Sequence, residues 1–158
     1  HLRTRRQRQM CIRDRSKRFA TSDARDAFLQ QPRLAILMYQ GQRPSPTGIP
    51  VWFDWNGHIL QMFAAASSAK IKYLRENPNA SVLVTNHVGE PEGWVDFDGR
   101  IEIAEFTTED WQQLIDRVAP KYWDLNQQAH AEEIKNWRAS PQMFTSLTMI
   151  PDNIRSGA

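Results

Sequence analysis

The chain has 158 residues, of which 41% are hydrophobic and 24% are charged, a balance typical of one soluble globular domain with a substantial core. It contains no run of about 18 apolar residues, which excludes a membrane-spanning helix, and no apolar segment follows the basic N-terminus as in a signal peptide. We therefore expect a cytoplasmic protein. The single cysteine, Cys11, excludes an intramolecular disulfide and a multi-cysteine metal site.

The net charge of +2 depends on the N-terminal tail. Residues 1–15 hold six arginines and one acid, and removing these from the 20 basic and 18 acidic residues leaves 14 and 17. The segment 5–15 resembles one reading frame of a transposon-end adapter used to prepare DNA sequencing libraries. We interpret residues 1–15 as an artefactual tail and exclude them from the fold analysis. The alternative is an arginine-rich disordered arm that binds nucleic acid.

The first part of the remaining chain predicts a helix and then strands. Ser22 can cap a helix that ends before Pro32. The apolar run over residues 33–40 is too short for a helix and predicts a buried strand. Asn56-Gly57, within residues 49–65, predicts a hairpin with a type I′ turn, because such a turn needs positive φ at both central residues.

A loop of small residues, 64–68, leads from this hairpin into a short helix that ends at Pro78. The free N–H groups and the dipole at a helix N-terminus favour an anion, and Lys70 adds a positive charge in the first turn. Either Ser67 or Ser68 can cap this helix. The pattern therefore indicates an anion site at this loop.

The rest of the chain predicts further strands and two helices. Thr107 or Thr108 can cap the first helix, and Gly99 marks a bulge or a close approach between strands. We expect the chain after Pro151 to be loose. Six short strands with short connections predict an antiparallel sheet that closes into a small barrel. The later strands are predicted over residues 80–86, 94–103 and 143–150, and the second helix over residues 126–138.

Five short motifs occur in a particular order: Pro50-Val51-Trp52-Phe53, Trp55-Asn56-Gly57, Ser68-Ala69-Lys70, Leu74-Arg75-Glu76-Asn77-Pro78 and Gly99-Arg100. In this order and spacing they resemble the pyridoxamine 5′-phosphate oxidase-like proteins. The resemblance is best over residues 22–105 and assigns residues 16–158 to one domain. It implies a mostly β fold with flanking helices, a six-stranded antiparallel split β-barrel of the FMN-binding type.

The resemblance also implies an activity and a partner. It implies a flavin (FMN)-binding oxidoreductase that acts on a small-molecule substrate, as a homodimer with two cofactor sites at the subunit interface. From the charge distribution and the absence of a long apolar run we expect no nucleic-acid or membrane partner. No side chain is assigned as a catalytic acid or base. Two alternatives stay open: a deazaflavin-dependent reductase, and a non-catalytic flavin- or heme-binding protein of the same fold.

Eight residues are implied to contact the cofactor. Lys70 matches a family lysine at the flavin phosphate, the strand 50–52 would lie along the isoalloxazine ring, and Trp94 would reach the flavin, often across the dimer. Many relatives have threonine where this chain has Ala64. The eight residues are Pro50, Val51, Trp52, Ala64, Ser67, Ser68, Lys70 and Trp94.

Two departures from the family pattern argue against oxidation of pyridoxamine phosphate itself. Ala69 stands where those oxidases carry an arginine just before the phosphate lysine. Residues 148–158 show no counterpart of their C-terminal substrate residues. The histidines at 58, 87 and 130 lack the spacing of metal ligands, so we expect no metal site.

Overall fold

A computed structural model describes Phe19 and residues 21–157, so the predictions made for residues 1–15 lie outside the described residues. The helices are α1 (Ser22–Gln30), α2 (Ala69–Glu76), α3 (Thr108–Tyr122) and α4 (Gln128–Arg138), with a 3₁₀ turn at Pro141–Met143. The strands are β1 (Ala35–Tyr39), β2 (Thr47–Val51), β3 (Phe53–Trp55), β4 (Leu60–Ala65), β5 (Asn79–Thr85), β6 (Trp94–Glu105), β7 (Phe144–Met149) and β8 (Asn153–Gly157). Among the helices of this described part, none is long and apolar enough to cross a membrane.

The strands form one curled antiparallel sheet. Its order is β2-β1-β5-β6-β7-β4-β3, and β8 also pairs with β6. Because β2 and β3 stand at opposite ends of this path and only Trp52 separates them in the chain, the sheet curls back on itself. The predicted antiparallel split barrel with flanking helices is confirmed. The structure has eight strands where the sequence predicted six, since Trp52 divides one predicted strand and β8 is additional.

The inner face of the sheet forms the main core. Phe53 and Trp55 alternate with the outward-facing Asp54, and both aromatic side chains are buried, as the period of two predicts. Leu29 of α1 and Leu74 of α2 are fully buried against the same cluster. The inner core therefore fixes the barrel and the two helices that flank it.

A second hydrophobic cluster covers the other face of β4 and β7. Its buried members come from α3 and α4, and they pack against Trp52, Phe63 and Phe144. Helix α3 begins at the predicted cap: the Thr107 Oγ1 accepts a hydrogen bond of 3.1 Å from the Asp110 N–H. The two helices thus cover a sheet face that would otherwise expose aromatic side chains.

Gly99 lies where strand β6 passes from one neighbour to the next. Residues 94–100 of β6 pair with β5, and residues 101–105 pair with β7. A Cβ atom on Gly99 would lie 3.0 Å from the Met149 Cγ and 3.2 Å from the Ile150 carbonyl oxygen. The predicted close approach is confirmed, and it occurs at the point where the sheet bends.

Two local predictions need correction. The β3–β4 connection is not a type I′ turn, because only Gly57 has a positive φ, of 95°. Instead, the Asn56 Oδ1 accepts hydrogen bonds from the N–H groups of His58 (2.9 Å) and Ile59 (2.7 Å), which makes a longer loop favourable. Helix α1 is capped by Thr21, one residue before the predicted Ser22.

The prediction of a loose C-terminus is wrong. Strand β8 pairs with residues 94–98 of β6, and Arg155 forms an ion pair with Asp96, whose side chain is only 7% exposed. Gly157 lies so close to the indole of Trp94 that a Cβ atom there would be 2.7 Å from the ring. The segment lacks an apolar alternation, so its strand depends on these distant partners.

Replacing Arg155 by alanine should lower the free energy of unfolding by about 1–2 kcal/mol, because it leaves the buried Asp96 carboxylate without its ion-pair partner. Urea denaturation of both proteins measures this difference. Arg155→Lys keeps the charge and should recover part of the loss. Equal stability of wild type and Arg155→Ala would mean that the ion pair with Asp96 contributes nothing to the stability of the fold.

Candidate cofactor site

The elbow, which we define as residues 64–70, joins β4 to α2 in a tightly held turn. The Ala66 N–H donates a hydrogen bond of 2.9 Å to the Met143 carbonyl, which ties the elbow to the 3₁₀ turn before β7. The Ser68 N–H donates to the Ala65 carbonyl over 2.9 Å, and the Ile71 N–H donates to the Ser68 carbonyl over 3.1 Å. The backbone of the elbow is therefore fixed before any ligand binds.

The two serines of the elbow keep their hydroxyl groups free. Ser68 occupies the N-cap position of α2, yet its side chain accepts no hydrogen bond from the helix. Ser67 is exposed, and neither hydroxyl has a hydrogen-bond partner among the residues described. Ser68 thus occupies the predicted cap position but does not cap the helix through its side chain. Both hydroxyl groups can bind a ligand instead.

Lys70 brings a positive charge to the first turn of α2. It is partly buried, and this desolvation lowers its pKa below the ordinary value of 10.5. No carboxylate within the described part of the chain forms an ion pair with it. A partly desolvated ammonium without a counterion is stabilised by a bound anion. Lys70 and the two serine hydroxyls therefore fit a phosphate group.

The segment 50–52 presents its side chains in different directions. Pro50 is exposed, whereas Val51 is 6% exposed and belongs to the inner core. The indole of Trp52 stacks on Tyr122, with ring centroids 4.8 Å apart and planes at 6°. The hypothesis that this segment lies along a cofactor ring now depends on its backbone and Pro50, since the indole packs into the second cluster.

Ala64 and Trp94 occupy different surroundings. The Ala64 side chain is 5% exposed and packs in the inner core, at the strand position opposite Thr145. Trp94 is partly exposed at the start of β6 and lies against Gly157. No described hydrogen bond or aromatic contact joins Trp94 or the segment 50–52 to the elbow. Of the eight predicted residues, Ser67, Ser68 and Lys70 thus lie together in the elbow, while the Ala64 side chain turns into the inner core.

Sequence analysis missed Tyr122, which holds the strand next to the predicted ring-binding segment. Its hydroxyl accepts a hydrogen bond of 3.2 Å from the Phe53 N–H and donates one of 2.8 Å to the Arg33 carbonyl. Burial raises its pKa to about 12. Because these partners lie 69 and 89 residues away, no local pattern could have indicated this role.

The raised pKa of Tyr122 predicts how stability changes in alkali. The folded protein holds this proton to about pH 12, whereas the unfolded chain releases it near pH 10. The free energy of unfolding should therefore fall between these values, by at most about 1.4 kcal/mol per pH unit. Urea denaturation at stepped pH measures the slope, and Tyr122→Phe should be flatter over this range. Parallel curves for the two proteins would contradict the assignment.

Lys121 of α3 places a second desolvated ammonium next to Phe53 of β3. Its Nζ is buried without a hydrogen-bond partner and lies 4.9 Å from the centroid of the Phe53 ring. Burial lowers its pKa, and the Asp54 carboxylate partly opposes that shift. Asp54 itself pairs with Arg117 over 3.1 Å. The ion pair of Arg117 with Asp54 joins α3 to β3.

The architecture defines an antiparallel split-barrel protein, and the elbow at the N-terminus of α2 is its candidate anion site. A family model described as pyridoxamine 5′-phosphate oxidase matches residues 21–147. The chain belongs to the pyridoxamine 5′-phosphate oxidase-like family, as the motif order predicted. No curated protein matches the sequence at a significant level.

Several solved structures share this fold. A conserved hypothetical protein from Mycobacterium tuberculosis has a TM-score of 0.68 and 20% identity, over 90% of this chain and 88% of that one. A FAD-binding protein from Mesorhizobium loti has a TM-score of 0.58 and 20% identity, over 87% of this chain and 92% of that one. The heme storage protein HutZ from Vibrio cholerae has a TM-score of 0.64 and 17% identity, over 84% of this chain and 91% of that one. At these identities the likeness shows the fold alone.

Proposed function

We propose that the protein is a flavin-dependent oxidoreductase that binds FMN, or a flavin nucleotide related to it, at the elbow. The observation that carries this proposal is Lys70: a partly buried ammonium in the first turn of α2, with two free serine hydroxyls beside it and no counterion in the described part of the chain. Membership of the family supports a flavin nucleotide as the molecule whose phosphate binds here.

Each part of the chain has a distinct task in this proposal. A bound flavin supplies the electron chemistry, because its ring accepts and passes on electrons. Lys70 and the hydroxyls of Ser67 and Ser68 hold the phosphate. Tyr122 fixes the strand that follows Trp52, so that the backbone of the segment 50–52 can support the ring. No side chain is assigned a proton-transfer role.

We also propose a homodimer, in which the partner subunit completes each cofactor site. Pro50 and Trp94 leave part of their surface exposed on strands that the elbow does not reach. A second copy that covers these strands would enclose a planar ring between two barrels and exclude water from it. Size-exclusion chromatography with light scattering on the purified protein measures the oligomeric state, and a monomer that retains flavin would contradict this part.

The cofactor itself can be identified from the purified protein. The expected absorbance spectrum is that of an oxidised flavin, and its bands should bleach on reduction by dithionite. Turnover of a substrate panel by the loaded protein then tests for an enzyme. A protein that neither copurifies with nor binds added FMN or FAD would overturn the proposal.

A heme-binding protein is the second candidate, because the neighbour HutZ is described as a heme storage protein. The histidines give this candidate little support: the His87 ring bonds to the Pro32 carbonyl over 2.9 Å, and His130 stacks on Trp123. A Soret band in place of flavin bands would favour heme. Flavin-like absorbance at shorter wavelength with strong fluorescence would favour a deazaflavin.

A further inference from the structure

A cavity of about 530 Å³ opens beside the elbow, between α2, the β6–α3 connection and the start of β7. This volume falls within the range of roughly 300–1,000 Å³ that small-molecule sites occupy. Its lining combines residues from α2, the β6–α3 connection and the start of β7. The lining residues used below are Ala66, Ile71, Arg75, Glu105, Phe106, Gln142 and Phe144.

The cavity and the proposed phosphate site share one turn of chain. Ala66 lines the cavity and immediately precedes Ser67, and Ile71 lines it and immediately follows Lys70. Ser67, Ser68 and Lys70 do not themselves line the cavity, but each is within two residues of a residue that does. A group attached to the far side of a phosphate held by Lys70 would have the cavity as its nearest enclosed space.

The aromatic part of the wall is held rigidly. Phe106 and Phe144 both pack on Trp111, at centroid distances of 5.0 and 4.3 Å. Trp111 is fully buried, and its Nε1 donates a hydrogen bond of 2.6 Å to the Trp137 carbonyl. Rigid phenyl rings that line a cavity favour a planar heteroaromatic group, since bases stack well on aromatic side chains.

The polar part of the wall carries unpaired groups of both signs. Arg75 is exposed and forms no ion pair with the residues described, and its guanidinium suits a phosphate. The Glu105 carboxylate would repel a phosphate beside it but can accept a hydrogen bond from an amino group on a base. The Gln142 amide can donate and accept at the same edge.

We propose that this cavity binds the adenylate half of a flavin dinucleotide, so that the cofactor the chain prefers is FAD over FMN. The inference rests on the proposed function, because Lys70 must hold the phosphate on the riboflavin side. Arg75 then binds the second phosphate, the adenine stacks on the wall formed by Phe106 and Phe144, and Glu105 and Gln142 face its amino edge.

Isothermal titration of the flavin-free full chain with FMN, FAD and AMP separates this inference from the proposed function. We expect FAD to bind at least tenfold more tightly than FMN. Arg75→Gln should lower FAD affinity to near that of FMN while FMN affinity stays unchanged. Lys72→Gln, on the same helix but outside the cavity, is the matched control and should change neither affinity.

The outcomes distinguish the two ideas. Equal affinities for FMN and FAD in the wild type, or an equal loss of both in Arg75→Gln, would overturn the dinucleotide inference and leave the flavin proposal standing. Binding of AMP that Arg75→Gln abolishes, with no binding of FMN or FAD, would overturn the flavin proposal and locate an adenylate site in this cavity. If none of FMN, FAD and AMP binds, both the flavin proposal and the dinucleotide inference are overturned.

Discussion

Replacing Lys70 by alanine should weaken FMN binding by about 1.5–3 kcal/mol, the range for a hydrogen bond to a charged group, which is about 10- to 150-fold in dissociation constant. The variant removes the one positive charge in the first turn of α2, while the serine hydroxyls and the helix dipole remain. Fluorescence titration of the flavin-free protein with FMN measures the loss. Riboflavin, which lacks the phosphate, should bind the wild type and the variant equally.

The pH dependence of binding gives an independent check on the same residue. Because desolvation lowers the pKa of Lys70 in the free protein, the ammonium is lost at a lower pH than in an ordinary lysine. FMN affinity of the wild type should therefore decrease as the pH rises through this lowered pKa. Lys70→Ala should lack that decrease.

Lys72 provides the control for both experiments. It lies two residues further along α2, is exposed, and carries the same charge. Lys72→Ala should leave FMN affinity within about twofold of the wild type, because an exposed charge contributes little. A loss in Lys72→Ala that equals the loss in Lys70→Ala would show a general charge effect and would remove Lys70 from the phosphate site.

Replacing Trp111 by alanine should lower the free energy of unfolding by about 3–5 kcal/mol, the range for large aromatic residues in cores. Trp111 has no exposed surface and packs on Phe63, Phe106 and Phe144. The variant leaves a cavity between α3 and the sheet and removes the indole donor of the Trp137 carbonyl, which still accepts from the Ser140 N–H over 3.0 Å. Urea denaturation measures the change, with a constant slope as the sign that the unfolding transition is unchanged.

Trp123 is the matched control for this second variant. It belongs to the same cluster and contacts Trp52 and Trp137, but it is only partly buried. Trp123→Ala should therefore cost clearly less than Trp111→Ala. Equal losses would mean that the two tryptophans contribute equally to the free energy of unfolding. Trp111 would then not be the central residue of the layer that α3 and α4 form over the sheet.

Local patterns in the sequence were sufficient for most elements of the fold. The alternation of Phe53, Asp54 and Trp55 predicts their faces correctly, because successive side chains of a strand point to opposite sides. Thr107 predicts the start of α3, and Gly99 predicts a close approach. The elbow was also predictable, since its small residues, its serines and Lys70 are neighbours in the chain and act through the first turn of one helix.

Tertiary structure decided whatever depends on groups far apart in the chain. The sequence of β8 carries no strand period, and only pairing with β6 and the contact of Arg155 with the buried Asp96 make it a strand. Tyr122 reaches Phe53 and Arg33 only after α3 has packed on the sheet. The sequence by itself thus determined the turn from β4 into α2 and most of the barrel strands, because short-range patterns of small, polar and apolar residues encode them. The tertiary structure decided that Trp52 packs against α3 and α4 and that a cavity opens beside the elbow, because both require distant segments to meet.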